Sequence, residues 1–222
     1  LTSLFDRKLA ISLATIPAMF TGVIEESLAL AGVDVIVAGR RLWIDAPWDD
    51  VALGESIALN GACLTISTLG EVIGIGVKRI GFDVVPETLA KTNLGRLVPG
   101  DRMHVERAMK IGSRFDGHFV LGHVDGLAKL IEQKSDTNEW RLIGEVDEAS
   151  AKYLVPKGSI CLDGISLTLA KVEGRSFEIA LIPTTLERTE FAKRKPGWMM
   201  NVEFDVIVKT VVNVMEMKEK KL

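Results

Sequence analysis

Cysteine is nearly missing from this 222-residue chain: only Cys63 and Cys161 are present, at unequal places in the pattern described below. A disulfide-stapled scaffold is therefore not expected, and a reducing compartment, the cytoplasm, is. Histidine is almost as scarce, and three histidines with two cysteines show no ligand spacing, so no metal is expected. Positive charge is not in excess. The formal net charge is −3 with both signs interspersed, whereas a nucleic-acid surface needs clustered cations, so no nucleic acid is expected. The apolar run Leu9 to Ala18 falls short of the ~20 residues that cross a bilayer, so no membrane is expected either.

What the chain does have is itself, twice. SIALNGACLTI at Ser56 to Ile66 returns as SICLDGISLTL at Ser159 to Leu169, with six of eleven positions identical and a spacing of 103 residues. Pro86 to Glu106 returns as Pro183 to Glu203 at a spacing of 97. A period near 100 residues is too long for a solenoid unit and suits a small domain. The expected organisation is a domain over 19–114, a related one over 115–205, and an approximate two-fold axis between them. A hydrophobic share of 47% with 26% charged residues can fill two cores. Residues 1–18 stand outside the repeat and read as an unstructured extension, for which organellar import stays open.

From Met19 onward, short apolar or alternating stretches separated by Gly, Pro, Asn and Asp predict strands at Leu42–Ile44, Ser56–Leu59, Cys63–Ser67, Gly81–Val85 and Arg102–Glu106. Asn60-Gly61 and Asp163-Gly164 predict type I′ hairpin turns, which need positive φ at both central residues. Thr88–Leu94 and Thr185–Phe191, each entered through Pro-x-Thr, predict short helices. About six strands with one small helix are best closed into a Greek-key barrel, because closure removes exposed edges. The fold class is all-β, with two tandem six-stranded barrels. Val206 to Leu222 contains no turn residue and predicts a helix whose Val208, Val211 and Met215 form an apolar stripe. That stripe either packs on its own barrel or meets copies of itself.

MFTGVIEE at Met19 to Glu26, NGACLTI at Asn60 to Ile66, PETLAKTNLG at Pro86 to Gly95, GHFVLGHVDG at Gly117 to Gly126, DGISLTL at Asp163 to Leu169, and IPTTLERTEF followed by NVEFD resemble the signature stretches of the riboflavin synthase family. The resemblance runs from Met19 to about Lys209. It implies tandem barrels, a C-terminal helix that helps assemble a homotrimer, and disproportionation of two 6,7-dimethyl-8-ribityllumazine molecules. The products it implies are riboflavin and 5-amino-6-ribitylamino-uracil. No cofactor is implied, because a carbanion at the 7-methyl group delocalises into the pteridine ring itself. The protein's share is orientation and proton transfer.

Carried over position by position, the resemblance implies a first group of site residues: Phe20, Thr21, Gly22, Val23, Ile24, Ser56, Cys63, Leu64, Thr65, Asp83, Val84, Val85, Pro86, Glu87 and Thr88. A second group comprises Gly122, His123, Val124, Lys157, Ser166, Leu167, Thr168, Ile182, Pro183, Thr184, Thr185, Leu186 and Asp205. The catalytic candidates among them are His123, Ser56, Cys63, Ser166, Thr168 and Asp205. His123 is the acid–base candidate because imidazole titrates near neutrality, although a rim histidine also serves as a structural hydrogen-bonder. Cys63 reads equally as a small buried hydrophobe, Ser56, Thr65, Ser166 and Thr168 as strand hydroxyls bonded to backbone, Phe20 as core, and Asp205 as a helix N-cap.

Three residues depart from the family pattern: Asp116, Leu121 and Thr184. Asp116 stands where a glycine is common, and glycine tolerates positive φ better. The stretch Gly70 to Ile80 carries the six-residue difference between the two spacings. Two other readings compete with this one, and the enzyme is favoured. A non-catalytic lumazine- or flavin-binding relative would keep one pocket and lose the other, yet hydroxyl motifs persist in both copies. A flavin-reductase barrel needs a following nicotinamide-binding domain with a Gly-rich phosphate loop, and none follows.

Overall fold

A computed structural model describes residues 18–71, 77–136 and 139–220. The extension expected over 1–18 and the centre of the 70–80 stretch lie almost wholly outside the described residues. The first barrel is built from β1 (Glu26–Ile36), β2 (Gly39–Ala46), β3 (Ser56–Leu59), β4 (Ala62–Glu71), β5 (Lys78–Val84) and β6 (Arg102–Arg107), with α1 (Pro86–Lys91) between β5 and β6. The second repeats it with β7 (Gly126–Asp136), β8 (Glu139–Glu145), β9 (Ser159–Leu162), β10 (Ile165–Glu173), β11 (Ser176–Leu181), α2 (Pro183–Arg188) and β12 (Met199–Phe204). Helix α3 (Val206–Glu219) follows. Both barrels close in the same antiparallel Greek-key order, β1-β2-β5-β4-β3-β6 and its counterpart β7-β8-β11-β10-β9-β12. No helix among the described residues is long and apolar enough to cross a membrane.

Period-2 alternation fills each barrel. In β2, Leu42, Ile44 and Ala46 point inward and the residues between them are only partly covered. The long first strands β1 and β7 escape sequence reading because Asp34 interrupts the alternation of β1, and Glu132 and Lys134 that of β7. Register shifts at Leu30/Gly32 and Ile66/Thr68 recur at Leu130/Glu132 and Leu169/Lys171. Such bulges bend strands enough to close a small barrel.

β6 and β12 break the alternation in an informative way. Met103, His104, Val105 and Glu106 are all buried, as are Met200 through Phe204. The apolar members face their own core, while His104, Glu106, Asn201 and Glu203 face the other barrel. A small apolar cluster of Phe20, Ala58, Val120 and Cys161 fills the junction. Phe20 is completely buried there, which contributes about 1.5–3 kcal/mol and removes its ring from any ligand surface. A two-way pair, Phe20 N–H to Val120 O at 2.8 Å and Val120 N–H to Phe20 O at 3.3 Å, ties the segments that enter the two barrels.

The predicted type I′ turns are present, with φ of 44° and 78° at Asn60-Gly61 and 46° and 85° at Asp163-Gly164. Both turns lie at the junction, where the Asn201 side-chain amide donates to Asn60 O at 2.8 Å and Asn93 donates to Asp163 Oδ1 at 2.8 Å. Buried polar groups of this kind must be paired, and these are.

The two short helices end sooner than the sequence suggests. α1 stops at Lys91, where the Thr92 hydroxyl donates to Thr88 O at 2.6 Å, and the Asn93 N–H leaves to meet Asn201 Oδ1 at 2.6 Å. α2 stops at Arg188 in the same way, with Thr189 bonded to Thr185 O and the Glu190 N–H taken by His104 Nε2 at 2.8 Å. Partners across the junction outcompete another helical turn. Asp116 does not need positive φ either, since that conformation falls on Gly117 at 81°.

α3 starts where predicted. Asp205 caps it by accepting from the Ile207 N–H at 2.8 Å, and Lys209 pairs with Asp125 at 2.9 Å while Lys152 pairs with Glu216. These contacts turn Val208 partly inward, so the exposed stripe is Ile207, Val211, Val214 and Met215. The expected stripe is thereby shifted by one residue at its start.

Candidate functional site

Two cavities occupy equivalent places in the two barrels. The first, of about 260 Å³, is lined by Ala62 and Cys63 of β4, Glu87, Thr88 and Lys91 of α1, Thr92, and the segment Gly122, His123 and Val124. The second, of about 160 Å³, is lined by Ile165 and Ser166 of β10, Thr184, Thr185 and Arg188 of α2, Ile182, Thr189, and the segment Gly22, Val23 and Ile24. The lips are exchanged. Gly122 O accepts from Cys63 N–H at 2.9 Å, and Gly22 O accepts from Ser166 N–H at 2.9 Å. Val124 packs against the core of the first barrel, and Ile24 is part of the core of the second.

Grouping by repeat, as the sequence invites, puts Gly22 to Ile24 with Cys63 and Gly122 to Val124 with Ser166. The structure reverses both pairings, because the segment entering each barrel crosses the junction before its first strand begins. Glycine is required at the crossing. Gly22 and Gly122 both have φ of +74°, and a Cβ there would lie 2.6 Å from Ser166 Cβ and 2.4 Å from Cys63 Cβ.

In the first cavity the His123 ring is exposed and makes no hydrogen bond among the described residues. Only its backbone is held, by Glu203 Oε2 at 3.0 Å. Burial raises the Cys63 thiol above its ordinary range, with Ser56 hydrogen bonding pulling the other way and Glu203 adding to the rise. The thiol is therefore protonated near neutrality and is not an activated nucleophile. Ser56 does not line this cavity; it touches Cys63 from β3 and borders a different hollow with Arg107 and Lys110.

In the second cavity the counterpart of Cys63 is Ser166, whose Oγ lies 2.7 Å from Nδ1 of His118. Burial lowers the His118 imidazole, so it is neutral, and its Nε2 has no partner. A neutral ring against a hydroxyl can orient or accept its proton. Sequence reading passes over His118, although it opens the same GHFVLGH stretch that singles out His123. The signal is there, but only the fold brings β10 to it.

The remaining candidates divide by strand face. Leu64, Val84 and Leu167 point into the cores, so only their backbones are available to a ligand. Thr65 and Thr168 are exposed on the same strands as Cys63 and Ser166. Asp83 is fixed by Arg41 at 2.5 and 2.9 Å and by the Ser67 hydroxyl at 2.9 Å. Val85 and Ile182 are the exposed N-cap positions of α1 and α2, with Pro86 and Pro183 in their first turns, and Leu186 packs against the second core. Glu87 pairs with Lys91 at 2.8 Å, whereas Thr184 at the matching place in α2 offers Arg188 no carboxylate. Thr21 is bound to Glu106 through its N–H at 2.6 Å and its hydroxyl at 2.9 Å. Lys157 has φ of 66° and lines neither cavity, and Asp205 is occupied as the cap of α3. No group of three or more His, Cys, Asp or Glu placed to hold a metal exists among the described residues.

The profile of the Lumazine binding domain family matches residues 21–108 and again 121–205. The chain belongs to this family. Within it the similarity is to riboflavin synthases: 40% identity over 203 residues to that of Mycobacterium tuberculosis, covering 89% of this chain and 98% of the relative. The riboflavin synthase of Bacillus subtilis is 40% identical, covering 86% of this chain and 87% of the relative, and that of Escherichia coli is 36% identical, covering 89% and 92%. Among solved structures, LumP complexed with 6,7-dimethyl-8-(1′-D-ribityl) lumazine superposes with a TM-score of 0.71 at 17% identity, covering 84% of this chain and 99% of LumP. At that identity the likeness is one of fold. The two matched segments of the lumazine-binding family begin just before the two exchanged lips.

Proposed function

We infer that this protein is a riboflavin synthase, converting two molecules of 6,7-dimethyl-8-ribityllumazine into riboflavin and 5-amino-6-ribitylamino-uracil. The observation that carries the reading is the pair of related cavities, one in each barrel, in a chain whose relatives at 35–40% identity are riboflavin synthases. A four-carbon unit passes between two identical heterocycles, so a protein that holds both must offer two related seats. The two products together contain the atoms of the two substrates, and no oxidant or metal enters the balance.

Each lumazine is placed with its ring against a strand, near Cys63 and Thr65 in one barrel and Ser166 and Thr168 in the other. Backbone groups of the cavity rims meet the pyrimidine edge, and the α1 and α2 threonines Thr88 and Thr185 meet ribityl oxygens. His123, exposed and without a ring partner, moves the proton at the 7-methyl carbon. Ser166, backed by neutral His118, binds or polarises the second ring. The lumazine-binding units are residues 19–114 and 115–205, each completed by the other's lip.

The reaction requires the two seats to face each other. The exposed stripe Ile207, Val211, Val214 and Met215 on α3 supports assembly into a homotrimer, in which the Cys63 cavity of one subunit meets the Ser166 cavity of the next. Incubation of the purified protein with 6,7-dimethyl-8-ribityllumazine alone tests the reading. Riboflavin should form at half the rate at which lumazine disappears; a lumazine that binds and stays unchanged would make the protein a non-catalytic binder.

A further inference from the structure

We propose that Glu203 and Glu106 are positioning residues, each holding in place the lip that closes the other barrel's pocket: Glu203 sets Gly122 and His123 over Cys63, and Glu106 sets Gly22 over Ser166. The lip backbones leave the strand ladders at the crossing, so their N–H groups need other acceptors. Glu203 supplies one oxygen to the Leu121 N–H at 2.8 Å and the other to the His123 N–H at 3.0 Å. Glu106 does the same in the first barrel, with Oε1 2.6 Å from the Thr21 N–H and Oε2 3.0 Å from the Gly22 N–H. Both glutamates are nearly inaccessible, at 2% and 4% exposure. Neither lines the pocket that it governs.

Ionised, each carboxylate is a two-oxygen acceptor, and that is what this geometry uses. Glutamine keeps one oxygen and turns an NH₂ donor toward the second N–H, so one bond is lost and a buried donor is left facing another. Because each barrel's carboxylate controls the other barrel's pocket, a change at Glu203 should loosen one pocket and spare its twin. As a statement about catalysis this rests on the riboflavin synthase reading, but the lip can be tested without any substrate.

The two cysteines provide the probe. Cys63 lies beneath Gly122 and is half-buried, whereas Cys161 is fully buried beside both carboxylates. Iodoacetamide labelling of the full chain, read by mass spectrometry at each cysteine, should be about tenfold faster at Cys63 in Glu203→Gln than in the wild type. Cys161 should stay unlabelled, and Glu106→Gln should leave the Cys63 rate within about twofold of wild type. In a background carrying Cys63→Ser and Ser166→Cys the pattern should reverse, with Glu106→Gln accelerating labelling of the thiol at position 166 and Glu203→Gln not. If Glu203→Gln does not fold, Glu203→Asp, which keeps the charge but is one methylene shorter, carries the same comparison. An unchanged Cys63 rate, parallel labelling of Cys161, or equal acceleration by Glu106→Gln overturns the proposal.

Discussion

Gly61 and Gly164 meet back to back at the junction of the two barrels: a Cβ on Gly61 would lie 2.6 Å from the Gly164 nitrogen. Each glycine is the second central residue of its hairpin turn, at φ of 78° and 85°. The turn that closes one hairpin thus also seats the neighbouring barrel. Gly61→Ala meets both a strained φ and a backbone collision, so it should destabilise the protein by about 3 kcal/mol. Gly174→Ala, at φ of 58° with nothing within 4 Å, should cost only about 1 kcal/mol. Urea unfolding of the two variants checks the contrast, and equal losses would mean that the turns do not hold the barrels together.

His118 Nδ1 lies 2.7 Å from Ser166 Oγ, so in the proposed reaction the two should act as one unit. Ser166→Ala and His118→Ala should each lower kcat about tenfold or more, and the double variant should be little worse than the poorer single one. His118→Asn, whose side chain can still meet the Ser166 hydroxyl from near the Nδ1 position, should recover part of the loss. Additive effects in the double variant would separate the two residues.

Burial pushes the Glu106 carboxyl up to about 7, against the hydrogen bonds from Thr21 and Gly22 that pull it down, with nearby Glu25 adding to the rise. The folded protein therefore holds this proton more tightly than the unfolded chain does. Its stabilising contribution is fully present below the ordinary value of 4.5 and is lost as the pH rises through about 7. Glu106→Gln removes the titration. The stability advantage of wild type over this variant should shrink between pH 5 and pH 8 by on the order of 2 kcal/mol. His104 and Asp163 titrate in both proteins and cancel in the difference. Urea unfolding at the two pH values measures it, and a gap independent of pH would show that Glu106 is not the titrating group.

Much of the fold is legible in the sequence because the repeat doubles every local signal. The NG and DG turns, the short alternating strands and the Pro-led helices each occur twice in register, and the strand predicted over Ser56–Leu59 is β3 to the residue. What stays hidden depends on the other barrel. β6 and β12 are buried on both faces, α1 and α2 end where Asn93 and Glu190 find partners across the junction, and the lips cross over. A linear pattern carries no sign of such exchange. For the same reason His118 escapes notice in the sequence: what draws attention to it is its contact with Ser166, forty-eight positions away.

Catalysis by this chain, in the reading proposed above, joins a lumazine held beside Cys63 and His123 in one subunit to a lumazine held beside Ser166 in its neighbour. Two variants, each defective in one pocket, test it. His123→Gln and Ser166→Ala should each be folded and nearly inactive when alone, His123→Gln losing about tenfold or more in turnover. Unfolded together and reassembled as mixed oligomers, they should regain about a quarter of wild-type riboflavin formation, because random mixing places an intact pocket of each kind face to face in that share of interfaces. Mixed assemblies that form but remain as inactive as their parents would contradict the account.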